Sequence, residues 1–152
     1  MPKPAPFLWF HGQAEEAAEL YTRVFPNSAI TEISRTAPGE PAMTVSFTLD
    51  GQPFTAFNGG RQFRFSEAIS FQVPCADQDE VDHYWSALSD GGEEGRCGWL
   101  KDRFGLSWQI VPAALPGLLG DPDPGRAQRA MNAMMGMRRL DVAAMQAAAD
   151  AG

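Results

Sequence analysis

The sequence predicts an α+β fold, two copies of one strand-helix-strands unit followed by helices. The order of hydrophobic patterns repeats along the chain, the strand-like stretches alternate sharply between apolar and polar residues, and the composition changes after Pro112. The two copies span about residues 6–60 and 66–112, pairing into one domain over 1–112. Residues 113–152 form a helical tail.

FLWF at Phe7 to Phe10 is a short apolar run that suits a buried strand. The loop HGQ follows, and from Ala14 to Phe25 the spacing of Ala17, Leu20, Tyr21 and Val24 sets one apolar helical face, which Pro26 and Asn27 end. Next come AITEIS, TVSFTLD and PFTAFN, the last two separated by a turn containing Asp-Gly that reads as a hairpin. After GGRQFRFSE the order restarts. AISFQV reads as a strand, about Asp77 to Leu88 as a helix and DGGEEG as a turn, with RCGWL and GLSWQIV as the closing strands.

Side chains alternate across a strand with period two, so each strand can be read for its faces. Ile69, Phe71 and Val73 share a side that packs on helices, leaving Ala68, Ser70 and Gln72 opposite. In the same way Leu106, Trp108 and Ile110 oppose Ser107, Gln109 and Val111, and Val45, Phe47 and Leu49 oppose Thr44, Ser46 and Thr48. A sheet with one apolar face and one face of Ser, Thr and Gln either meets solvent or lines a polar cavity.

Composition excludes several function classes. The formal net charge is −7 and the Lys and Arg residues form no cluster, which argues against nucleic acid and anionic lipid as partners. No apolar run approaches the ~20 residues of a membrane span, and MPKPAPFLWF lacks the apolar core and cleavage site of a signal peptide. A cytoplasmic location is expected. Cys75 and Cys97 match no zinc or disulfide pattern and are expected to be reduced.

Four segments carry a family resemblance: FLWFHGQAEEAAELYTRVFPNS, FNGG, EAISFQV and CGWLKDRFGLSWQIVP. Together they resemble the PhnB-like branch of the glyoxalase and vicinal-oxygen-chelate superfamily, whose members often carry the label demethylubiquinone methyltransferase. The likeness runs from roughly Pro6 to Leu140. It implies two βαβββ modules whose mixed sheets curve around a cleft, with the polar faces as its walls.

The superfamily's chemistry uses a divalent metal held by His and Glu, which polarises a substrate offering two oxygens. The resemblance places those ligand positions near Pro6, Ala56, Ala68 and Gln109, of which only Gln109 offers an oxygen. His11, Asn58 and Glu67 are the nearby donors. No metal and no other cofactor is expected. The methyltransferase label implies a Gly-rich nucleotide cradle, and neither Gly59-Gly60 nor Gly91-Gly92 sits in the strand-to-helix context such a cradle needs.

The expected function is binding of a small molecule in a polar cleft formed by Ser70, Gln72, Ser107 and Gln109, with Asn58, Trp99 and His11 as further candidates. His11, in a strand-to-helix loop, is a general-base candidate or a structural loop residue. Cys97 reads as structural rather than nucleophilic, Trp9, Trp85 and Trp108 as core, and Trp99 as a lining of the cleft mouth. Asp102 precedes a Gly-containing reversal and reads as the residue that fixes it. The tail's Met131, Met134, Met135 and Met137 suit packing over the domain or a homodimer partner. Two alternatives stand beside this reading, a non-catalytic dimeric scaffold with a vestigial cleft and a demethylubiquinone methyltransferase-like or glyoxalase-like enzyme.

Overall fold

The computed structural model describes residues 2–152 and divides into two compact units, residues 1–65 and 66–152. The first unit runs β1 (Phe7–Phe10), α1 (Ala14–Val24), β2 (Ala29–Arg35), β3 (Ala42–Leu49) and β4 (Gln52–Asn58). Its sheet has the order β1-β4-β3-β2, with β1 parallel to β4 and the other pairs antiparallel. This is one βαβββ module. Leu8, Phe10, Val45, Phe47, Phe54 and Ala56 are buried on the face that meets α1, and Ala14, Ala17, Leu20, Tyr21 and Val24 are the helix's buried side chains.

Residues Asp50 and Gly51 close the β3-β4 hairpin, with φ of 47° and 82°, and Leu49 pairs with Gln52 across the turn. Positive φ at both central residues is the type I′ geometry that matches strand twist, and glycine adopts it without a Cβ clash. The opposite face of this sheet carries Phe7, Trp9, Thr44, Ser46, Thr55 and Phe57, by the register of the three strands. Trp9 therefore departs from its expected core position. Leu8 and Phe10 occupy the helix face, and strict alternation turns the indole between them outward. It lies over Gly59, where a Cβ would stand only 2.1 Å from the ring, and donates to the Gly60 carbonyl at 2.8 Å.

The second unit repeats the module as β5 (Phe71–Cys75), α2 (Gln78–Ser89), β6 (Glu93–Glu94), β7 (Trp99–Lys101) and β8 (Ser107–Pro112), then adds α3 (Leu115–Leu119), α4 (Pro124–Met135) and α5 (Val142–Asp150). The strand order β5-β8-β7-β6 reproduces that of the first unit position for position. Val73, Cys75, Leu100, Trp108 and Ile110 are buried on the helix face, and Val81, Tyr84, Trp85 and Leu88 are buried on α2.

Three elements differ from the sequence reading. The strand of AISFQV begins at Phe71, because Ser66 folds the preceding residues into a turn by bonding the Ala68 and Ile69 amides, and Ile69 is 70% exposed instead of packed. DGGEEG holds the two-residue strand β6, too short to show a period. The Pro- and Gly-rich connector contains α3, which Pro116 can enter because the first turn of a helix needs no proline N–H.

The tail belongs to the second unit and has a small core of its own, Leu118, Ala130, Leu140, Met145 and Ala149. Gln78 on α2 donates to the Leu140 carbonyl and accepts from the Val142 amide, both at 2.9 Å. The Cys97 and Gly98 amides donate to the carbonyls of Met137 and Arg138 at 2.9 and 2.8 Å. Gly98 is required there, since its φ is 86° and a Cβ would meet the Ile110 carbonyl oxygen at 2.8 Å. Among the described residues, no helix is long and apolar enough to cross a membrane.

Candidate functional site

The face of the second sheet turned away from α2 gathers most of the polar candidates. Register sets Gln72 beside Gln109 and Gln109 beside Trp99, so three adjacent strands present an amide, an amide and an indole in one row. Ser107 pairs with Lys101 in the next row on that face. Gln109 Nε2 donates to Ser70 Oγ at 2.8 Å, which ties the loop before β5 to the centre of the sheet. Trp108 and Ile110 are buried on the helix side, so Gln109 has the open face as the sequence alternation requires.

Beside this row lies a cleft of about 160 Å³, lined by Trp99, Leu100, Lys101, Ser107, Gly95, Glu67, Glu93 and Glu94, of which the Glu94 carboxylate accepts from the Trp85 indole at 2.8 Å. Lys101 forms an ion pair with Glu67 at its rim. Their hydrogen bond, with help from the Glu67 backbone amide and the Lys101 charge, holds the Glu67 carboxyl below the usual carboxylate range, and the same hydrogen bond and the Glu67 charge raise the Lys101 ammonium above the usual lysine range. Ser107 is buried, and its hydroxyl has no hydrogen-bond partner. The Lys101–Glu67 pair was not a sequence candidate. Its signal was there: Lys101 is two residues from Trp99 and so shares its face.

Other candidates have structural occupations. Asn58 sits at the end of β4, where its Oδ1 accepts from the Ala14 amide and its Nδ2 donates to the Ala42 carbonyl, each at 2.8 Å. It caps α1, whose own N-cap residue Gln13 makes no side-chain bond. His11 Nε2 bonds the Phe63 carbonyl oxygen at 2.6 Å and pins the loop after β4. Both residues belong to the first unit. Cys97 is half-buried, with φ of 56°, and its thiol faces the Met134 carbonyl and the Met135 sulfur. Asp102 is buried and fixes the β7-β8 reversal, accepting from the amides of Phe104 and Leu106 and from the Trp108 indole at 2.9, 3.1 and 2.9 Å.

A divalent metal does not fit these residues. Ala56 faces α1 and has no donor atom, Glu67 is engaged with Lys101, and the Gln109 amide, whose nitrogen is held by Ser70, leaves one neutral oxygen. Among the described residues no three His, Cys, Asp or Glu side chains form a set that could hold a metal ion. A methyl-donor nucleotide finds no cradle either. Gly59 underlies Trp9, and a Cβ at Gly92 would meet the Lys101 carbonyl oxygen at 2.1 Å. Both glycines serve close packing. A larger groove of about 520 Å³ lies along α2 and residues 137–144, but its charged groups are already committed: Arg138 to the Glu94 carbonyl, Arg139 to Asp82, Asp141 to the Ala144 amide, and Glu94 to the Trp85 indole.

Residues 2–111 match the family described as 3-demethylubiquinone-9 3-methyltransferase. Among solved structures, the PhnB protein from Bacillus cereus is 34% identical, with a TM-score of 0.68 over 74% of this chain and 100% of that one. A Pseudomonas aeruginosa protein is 17% identical, with a TM-score of 0.60 over 74% and 98%. The fosfomycin resistance protein FosX from Listeria monocytogenes is 20% identical, with a TM-score of 0.52 over 75% and 93%, a likeness of fold alone. No curated protein matches the sequence.

Proposed function

The chain belongs to the 3-demethylubiquinone-9 3-methyltransferase family, its PhnB-like members sharing the vicinal-oxygen-chelate fold, and from that premise we propose that it binds a small organic molecule on the open face of the second sheet without a metal. One observation carries the reading. Gln109, held by Ser70, stands in a row with Gln72 and Trp99 on a face that the helices of its unit leave open. An anchored amide offers a donor and an acceptor, and an adjacent indole offers an apolar wall, the pairing that orients a small ligand. Without a metal to act as Lewis acid, recognition falls to hydrogen bonds and apolar contact. The methyl transfer in the family's name is the competing reading, and it requires a donor site that the two Gly-Gly pairs do not supply.

The test is a thermal-shift panel of divalent metals and small aromatic and dicarbonyl compounds, run on the wild type and on Gln109→Ala. A ligand of the native state raises the melting temperature. An organic compound should do so in the wild type and do so less in the variant. One tightly held metal per chain in elemental analysis, or no response to any organic compound, would overturn the proposal.

A second reading, a homodimeric scaffold, is favoured by the first unit, where Phe7 and Phe63 are 59% and 58% exposed. Exposed aromatics of this kind suit an interface between subunits. Light scattering behind a sizing column distinguishes a dimer from a monomer directly.

A further inference from the structure

The cleft beside Gln109 has a feature that the binding reading does not use. Among the described residues, Ser107 Oγ is the buried side-chain polar atom with no hydrogen-bond partner, and Ser107 is 1% exposed. A buried hydroxyl without a partner has lost its hydration and gained nothing in exchange. Ser107 lines the cleft of about 160 Å³, close to the roughly 150 Å³ of an apolar cavity that admits a benzene-sized molecule. Trp99, on the same face as the hydroxyl, is the apolar side chain of the lining, and Glu67, Glu93 and Lys101 supply its charges.

We propose, resting on the binding reading above, that this cleft is a subsite for a neutral alcohol or ketone no larger than one six-membered ring, with Ser107 Oγ as its hydrogen-bonding floor and Trp99 as its wall. Neutrality follows from the charges. Lys101 is already satisfied by Glu67, and Glu93 stands opposite Lys101 in the register, so an anionic ligand would have to displace one carboxylate and lie beside another. A charged group of either sign at the floor would meet only a hydroxyl, too little to replace its water. A hydroxyl or carbonyl group, by contrast, needs one partner, and Ser107 can donate or accept.

The test titrates cyclohexanol and cyclohexanecarboxylate, which share a ring but are neutral and anionic respectively, into the isotope-labelled full chain and follows amide resonances by NMR. Cyclohexanol should shift Trp99, Leu100 and Ser107 saturably in the millimolar range, and cyclohexanecarboxylate should not. Ser107→Ala should weaken cyclohexanol about fivefold to tenfold, the scale of one net hydrogen bond, and should leave the melting temperature equal or higher, because it removes an unpaired buried hydroxyl. Equal affinity of the variant, tighter binding of the carboxylate, or absence of saturable cyclohexanol shifts at these residues would each overturn the subsite. Saturable shifts confined to Gln72 and Gln109 would overturn it too while leaving the broader binding reading standing, and that reading has its own failure in the thermal-shift panel.

Discussion

In the first unit the covering helix α1 is capped by a residue distant in sequence, Asn58 at the end of β4, 44 residues beyond Ala14, whereas α2 in the second is capped by the residue just before it, Asp77, whose side chain accepts from the Glu80 amide at 3.0 Å. The hairpins differ in the reverse sense. β3 and β4 are joined by the exposed pair Asp50-Gly51, while β7 and β8 are joined by a loop held from inside by buried Asp102. One topology is therefore secured in two ways, and neither unit uses long-range bonds everywhere. Where the first spends a side chain on joining helix to sheet, the second relies on a local cap and draws its distant ties from the tail through Gln78 and Gly98.

The largest effect should test the two faces of β8. Trp108→Ala should cost about 3–5 kcal/mol, the range for truncating a buried aromatic, and Gln109→Ala should cost less than about 1 kcal/mol because water satisfies an open polar face. Comparable urea midpoints for the two variants would mean that the faces are assigned wrongly. Next come the hairpins. Asp102→Asn aims an amide N–H at one of the N–H donors that the side chain now accepts and should cost about 3 kcal/mol, whereas Asp50→Asn leaves the favoured Asn-Gly turn and should stay within about 0.5 kcal/mol.

The caps separate by less. Asn58→Ala strands the Ala14 amide and the Ala42 carbonyl together and should cost about 2 kcal/mol, against about 1 kcal/mol for Asp77→Ala, the loss of an ordinary N-cap. Equal losses would show that the distance of the capping residue has no bearing on stability. The smallest effect is a pH slope confined to the second unit. Burial pushes the Cys75 thiol up to about 11, with the carboxylates of Glu80 and Asp77 adding to the shift. A raised folded value means that the neutral thiol is favoured by folding, so its contribution is intact below the unfolded value near 9 and is lost as pH rises through 11. Chemical denaturation between pH 8 and 10.5 should fall more steeply for the wild type than for Cys75→Ala.

Local chemistry was legible in the sequence and distant chemistry was not. Asp-Gly announced the first hairpin through its positive φ, and Asp102 before Gly105 announced the second turn through a side chain that bonds within a few residues of itself. Alternation alone placed Gln109 and Ser107 opposite Trp108. Asn58 stood among the ligand candidates because its two bonds reach 44 and 16 residues along the chain, which no window of sequence displays. Trp9 reads as core because it lies in a strand, although the same alternation that fixed Gln109 turns it outward. The Lys101–Glu67 pair crosses 34 residues and a loop, and the empty side of the Ser107 hydroxyl is a property of packing, invisible before the strands are assembled.

The ties from the tail also impose a timetable on synthesis. All the strands and the helix of the first unit lie within residues 7–58, so its folding can begin as soon as that segment has been made. The second module cannot be completed by its own strands. Gln78 waits for Leu140 and Val142, 62 and 64 residues later, and the Cys97-Gly98 edge waits for Met137 and Arg138. At about 5–20 residues per second, α2 spends several seconds on the ribosome with its amide partners unmade. During that interval the seat of Leu140 is open to other chains, so a nascent-chain chaperone has more to shield in the second half of this protein than in the first.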